Sequence, residues 1–259
     1  MADLRNYQTR AVPAGTRADA DIDQGLRAYM IKVYNLMGLG LLITGLAAAA
    51  TVMLATTTDP SAAVATLPGG EMLTSFGYAI FASPLKWVVI LAPLAAVMFL
   101  SFRVQSMSVS AAQTTFWVYA GLVGLSLSSI FLVYTTASIT QTFFATAAGF
   151  GALSLFGYTT KRDLTAMGSF LIMGVFGLII AMVINIFLQS SGLSFAISAI
   201  GVLIFAGLTA YDTQKIKEMY FEGDDATVAG RKSIMGALTL YLDFINLFMF
   251  LLQFMGDRR

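Results

Sequence analysis

Two aspartates, Asp212 and Asp243, lie at the edge of and within strongly apolar stretches of this chain. Asp243 sits about ten residues into the last such stretch, which is about 15 Å of depth at about 1.5 Å of rise per helical residue. Around it run Gly236, Thr239, Asp243, Asn246, Phe250 and Gln253, separated alternately by three and four residues. That spacing places them on one helical face, while Leu240, Leu242, Ile245, Leu247 and Leu251 cover the rest. The result is a polar seam on an apolar rod. Such a seam is expected to face protein or a wet cavity, because a charge turned to lipid costs several kcal/mol. Asp212 closes the preceding apolar stretch, on a face that also carries Ser198, Gly201, Phe205 and Leu208.

Two acids brought together in a low dielectric cannot both ionise cheaply, so such a pair can take up or release a proton as pH changes. Ionised, it offers the hard oxygen ligands that Ca²⁺ prefers. Two carboxylates fall short of the roughly 6–8 oxygens Ca²⁺ takes. Waters, carbonyls and Asn246 would have to complete a weak site, which suits a path the ion must also leave. Arg103, in Ser101-Phe102-Arg103, is the basic residue best placed to reach the pair. Thr239, Asn246 and Gln253 would support the seam. A blander reading stands beside each of these. Asp212 would be an interfacial acid, Asp243 an interhelical hydrogen bond, Arg103 a snorkelling anchor, and the amides packing.

The composition dictates what must position these residues. Of 259 residues, 58% are apolar and 11% charged, with a mean hydropathy of +0.79, against about 25% charged in a soluble domain. Seven stretches, near 33–55, 84–102, 112–134, 139–158, 168–188, 193–212 and 233–255, approach or reach the roughly 20 apolar residues that cross a bilayer. Backbone at that depth must be helical. The expectation is an all-α integral membrane protein of seven transmembrane helices, residues 27–259, surrounded by the lipid bilayer. Residues 1–26 read as a polar cytoplasmic tail, and Ile22, Leu26, Tyr29, Met30 and Val33 as an amphipathic entry to the first span. There is neither Cys nor His. Disulfides, thiolate metal sites and His-dependent nucleophiles are therefore excluded, and any pH sensing falls to carboxylates. The net charge of +1 offers no case for nucleic acid.

Basic residues set the orientation. With the N-terminus on one side, that side collects Arg5, Arg10, Arg17, Arg27, Lys32, Arg103, Lys161, Arg162, Lys215, Lys217, Arg231 and Lys232. The other collects Lys86, Arg258 and Arg259. The N-terminus is expected in the cytoplasm. Seven crossings put the C-terminus outside, whereas a last segment that dips and returns would bring Arg258 and Arg259 back. A loop of about 28 residues between the first two spans, with Pro60, Pro68, Gly69 and Gly70, is the one sizeable outside element.

Paired intramembrane acids are also the device of aspartyl proteases. Those carry Gly-x-Gly-Asp at the second site, where this chain has Leu240-Tyr241-Leu242-Asp243, so no enzyme and no cofactor are expected. The blocks Gly207-Leu208-Thr209-Ala210-Tyr211-Asp212-Thr213-Gln214 and Ala237-Leu238-Thr239-Leu240-Tyr241-Leu242-Asp243-Phe244-Ile245-Asn246-Leu247-Phe248 resemble the Bax inhibitor-1, or transmembrane Bax inhibitor motif, family. Gly157-Tyr158-Thr159-Thr160-Lys161-Arg162-Asp163-Leu164 and Leu127-Ser128-Ser129-Ile130 add to the likeness, which is greatest to the bacterial inner-membrane branch. The resemblance implies six helices in hairpin pairs around a central seventh. It also implies a pH-sensitive Ca²⁺ leak whose sensing aspartates match Asp212 and Asp243. It further implies a gating Arg on helix two, matched by Arg103 in position; where some members add an acid there, residues 87–102 have none.

The leading expectation is a passive cation (Ca²⁺) leak channel gated by the Asp212/Asp243 pair. A regulatory protein binding other membrane proteins, and a proton-coupled transporter of a small solute, are the alternatives.

Overall fold

The computed structural model describes residues 14–67 and 69–258, with side chains from Gln24 onward. The first half of the expected polar tail, residues 1–13, lies outside the described residues. From Ala14 the chain is helical and continuous with the first span. Among the described residues, seven helices are long and apolar enough to cross a membrane. They are α1 (Ala14–Ala55), α2 (Leu85–Arg103), α3 (Val109–Leu127), α4 (Thr136–Thr159), α5 (Thr165–Leu188), α6 (Ser191–Glu218) and α7 (Ala226–Met255).

Polar residues at the edges of the apolar stretches start these helices. Ser108, Thr135, Ser190 and Asp225 occupy the N-cap positions of α3, α4, α6 and α7. Their side-chain oxygens accept from otherwise orphaned backbone N–H groups, as when Asp225 takes Thr227 and Val228 at 2.8 Å each. The α5–α6 turn is tight and passes through Gln189 in the left-handed region at φ 48°. Asn185 holds it, donating to Ser194 Oγ at 2.7 Å and accepting from the Ser190 amide at 3.1 Å.

Three details depart from the expected spans. The third is not one rod to residue 134, because α3 stops at Leu127 and a short helix Ile130–Val133 follows the Ser128–Ser129 turn. Helix α6 continues past Asp212 to Glu218, and α7 begins at Ala226 rather than near 233. Those polar extensions are held by protein instead of lipid. Gln214 accepts from the Leu164 amide and donates to the Arg162 carbonyl, both at 2.8 Å. Lys217 donates to the Tyr158 carbonyl at 2.9 Å, and Arg231 to the Met107 carbonyl at 2.7 Å. The long loop between α1 and α2 also contains a small antiparallel sheet of β1 (Thr56–Thr57), β2 (Ala65–Thr66) and β3 (Met72–Leu73), in the order β1-β3-β2.

Helix α7 is the axis of the bundle. Of its most apolar window 61% is buried, against 6% for α2 and for α5. Helices α1, α3, α4 and α6 pack on α7, while α2 rides on α3 and α5 on α6. The all-α, seven-span architecture with a central seventh helix is therefore as expected. Helix α7 is also unbroken over 30 residues, about 45 Å, long enough to cross a bilayer. Its end is fastened beside the start of α4, where the Thr135 amide donates to the Asp257 carbonyl at 3.1 Å and the Asp257 amide to Ser138 Oγ at 2.9 Å.

Helices α4 and α6 approach closely at Gly157. A Cβ there would collide with the Ala210 carbonyl oxygen. Small residues at such crossings let backbones meet.

Candidate functional site

The two acids meet on the α6–α7 contact. Asp243 is 5% exposed and Asp212 half-buried, and their carboxyl groups lie within hydrogen-bonding reach of one another. Among the described residues nothing donates a hydrogen bond to the buried Asp243 Oδ2. A proton shared with its neighbour would satisfy a carboxylate oxygen in that position. The seam residues beside it do not supply one. Thr239 donates to the Met235 carbonyl at 3.0 Å and Asn246 to the Leu242 carbonyl at 2.9 Å, each satisfying itself one turn back in α7. Toward the end of the seam, Phe250 stacks on Phe205 with ring centroids 5.6 Å apart. Gln253 is exposed beyond them and borders a small polar cavity of about 210 Å³ with Asn185 and Ser194.

Arg103 is not with the pair. It is exposed at the end of α2, and the one ion pair among the described residues is Lys232–Asp224. The physical reason is that α2 packs on α3 and makes little contact with α6. The cation whose field reaches Asp212 is Lys215, on α6 itself, with its ammonium 5.8 Å from the Tyr211 ring centre. No cluster of three or more acidic side chains that could hold a metal occurs among the described residues. A cation at the pair would depend on two carboxylates, water and backbone oxygens.

Two buried hydroxyl networks brace this site and were not foreseen. Tyr241, fully buried on α7, meets Thr44 of α1 at 2.6 Å. Thr44 itself reaches the Gly40 and Ala120 carbonyls at 3.0 Å each. Since Thr44 spends its one proton on a carbonyl, Tyr241 must donate to Thr44. Phe116 and Tyr119 pack edge-on against the Tyr241 ring at 5.7 Å. The second network joins α1, α4 and α6 through Tyr34, Ser154 and Thr213, with 2.6 Å and 2.9 Å between successive hydroxyls. Thr213 donates to the Thr209 carbonyl at 2.7 Å. Ser154 therefore donates to Thr213, and Tyr34 to Ser154. The available signal for both networks was hydroxyls inside apolar stretches, which local spacing alone does not pair.

Tyr241→Phe is expected to lower stability by about 0.5–1.5 kcal/mol, the worth of one net hydrogen bond. Tyr241→Ala, which also empties the ring's volume, is expected to cost about 3–5 kcal/mol. Thermal unfolding in detergent would order the two.

The fold and site define a multi-pass α-helical membrane protein with a carboxyl pair buried between its last two helices. The family model described as "Inhibitor of apoptosis-promoting Bax1" matches residues 26–259. The chain belongs to this Bax inhibitor family. It is 46% identical over 237 residues to the inner membrane protein YbhL of Escherichia coli, covering 91% of this chain and 94% of that one. It is similar along its full length to an uncharacterized protein of Caulobacter vibrioides, at 45% identity over 261 residues and 100% of both chains. An uncharacterized protein of Rickettsia prowazekii is 48% identical over 244 residues, 94% of this chain and 95% of its own.

Proposed function

We propose that this chain is a passive cation leak, with Ca²⁺ the favoured ion, set by the protonation state of the Asp212/Asp243 pair. The observation that carries the reading is the meeting of the two carboxyls with Asp243 Oδ2 buried and undonated. Protonated, the pair is neutral and can share a hydrogen bond across the α6–α7 contact. Ionised, it places two negative charges together, which both strains that contact and offers oxygens to a passing cation. Each proton exchanged therefore changes the helix contact and the ion's environment together. With so few protein ligands the ion is held weakly, as transit requires. Thr239, Asn246 and Gln253 line the same α7 face, and Arg103 serves the pathway only in a state where α2 has moved. The protein acts without catalysis or a resident cofactor, in the cell's inner membrane, with the basic end of the bundle in the cytoplasm and Asp257 outside. The skew of Lys and Arg between the two ends supports that orientation.

Reconstituted vesicles loaded with a Ca²⁺ indicator test the reading. Ca²⁺ entry is expected to exceed that of protein-free vesicles, without a solute gradient to drive it, and to change with pH. No entry at any pH would end the leak proposal. Co-purification of a stable membrane partner alongside that result would favour the regulatory alternative, and saturable gradient-driven uptake of a solute the transporter.

A further inference from the structure

Helices α1 and α4 both pack on α7 yet make little contact with each other. Between them lies a groove of about 620 Å³ bordered by Arg27, Met30, Tyr34, Phe150, Ser154 and Tyr158. That volume falls within the roughly 300–1,000 Å³ of ordinary ligand pockets. The walls are apolar except at two levels. The Tyr34–Ser154 hydroxyl pair sits inside, and charge collects at one end. There Arg27 is exposed and, among the described residues, has neither an ion pair nor a hydrogen bond. Lys217 reaches the same end, its ammonium on the Tyr158 carbonyl at 2.9 Å and 5.7 Å from the centre of that ring. One of its three N–H groups is used there, and no carboxylate pairs with it.

The dimensions match one leaflet. From Arg27 to Tyr34 the helical rise is about 10 Å, within the roughly 15 Å half-thickness of the hydrocarbon. Tyr158 and the two cations mark the interfacial level, where aromatic and basic residues gather. Below them Gly151 leaves open space, with nothing near its absent side chain. A groove that is basic at the interface and apolar and vacant beneath it has the polarity of an anionic phospholipid.

We propose that the α1–α4 groove holds one anionic phospholipid, its phosphate against Arg27 and Lys217 and an acyl chain along Met30, Gly151 and Phe150. The proposal stands apart from ion conduction, though the two sites share walls. Phe150 packs edge-on to Phe244, the neighbour of Asp243, at 5.5 Å, and Ser154 is bonded to Thr213, the neighbour of Asp212.

The test places a reporter tryptophan in the groove wall at the exposed Leu155, in a chain whose Trp87 and Trp117 are replaced by Phe and whose folding is checked by thermal melting. The chain is reconstituted in phosphatidylcholine vesicles containing rising fractions of brominated phosphatidylglycerol or, separately, brominated phosphatidylcholine. Quenching by the anionic lipid is expected at several-fold lower mole fraction than by the zwitterionic one. Arg27→Gln is expected to reduce that preference about five-fold, the worth of one basic group near a charged headgroup, and Arg27→Lys to keep it. Equal quenching by both lipids in the parent chain would overturn the proposal, as would a preference that survives Arg27→Gln.

Discussion

Vesicles carrying Asp243→Asn are expected to show Ca²⁺ entry that varies less than about two-fold across two pH units. The unsubstituted chain is expected to vary by up to about ten-fold per unit, the limit for a pathway controlled by one proton. Asparagine keeps the shape and a donor amide but cannot exchange a proton, so it leaves the α6–α7 contact in one electrostatic state. Asp212→Asn should flatten the response as well, because a pair that shares a proton titrates as a unit. The double variant should add nothing to either single one. A blander role for Asp243, a hydrogen bond that merely holds α6 and α7 together, predicts the opposite pattern. The Asn variants would then melt lower or at the same temperature while retaining the full pH response. Flux and melting measured on the same preparations separate the two roles.

Gly157→Ala should lower the melting temperature, although alanine is the better helix former. A Cβ at this position meets the backbone carbonyl of Ala210, and a backbone atom in a packed helix cannot swing aside as the tip of a side chain can. Overpacking of this kind costs about 1–3 kcal/mol, while Gly→Ala in a helix returns about 1 kcal/mol. The steric term wins. Gly149→Ala on the same helix supplies the control, since nothing lies near its absent Cβ, and it should be neutral or stabilising. If Gly157→Ala melted no lower than Gly149→Ala, the close α4–α6 approach would not be a determinant of stability. Separating α4 from α6 would also stretch the Ser154–Thr213 bond, one turn away on the same contact.

The parts of this molecule legible in its sequence are those that one helix encodes alone. The alternating spacing of Gly236, Thr239, Asp243, Asn246 and Gln253 marks a face of α7 without knowledge of any other helix, and the rarity of acids at depth marks Asp243 on it. The apolar lengths likewise count the spans. What failed to show depends on partners. Arg103 lies at the correct end of the bundle, but which helix α2 packs against is not written in α2, and Lys215, on the same helix as Asp212, takes the near position. Tyr241 and Thr44 are 197 residues apart, so their bond leaves no local trace. Helices α6 and α7 outrun their apolar stretches because Gln214 and Arg231 find carbonyls in neighbouring connections and Lys217 one in the last turn of α4, a source of stability that hydropathy does not register. The two-residue strands of the α1–α2 loop are too short to carry an alternation.

The Tyr34–Ser154–Thr213 chain, finally, has a direction. Its last proton ends on the Thr209 carbonyl, an amide oxygen already engaged in a helix, which has nothing to pass onward. Protons therefore cannot hop along these hydroxyls from the groove to the acids without every member turning over and the helical carbonyl being abandoned. The chain is insulation as much as bracing: a proton entering it from the groove finds no onward acceptor.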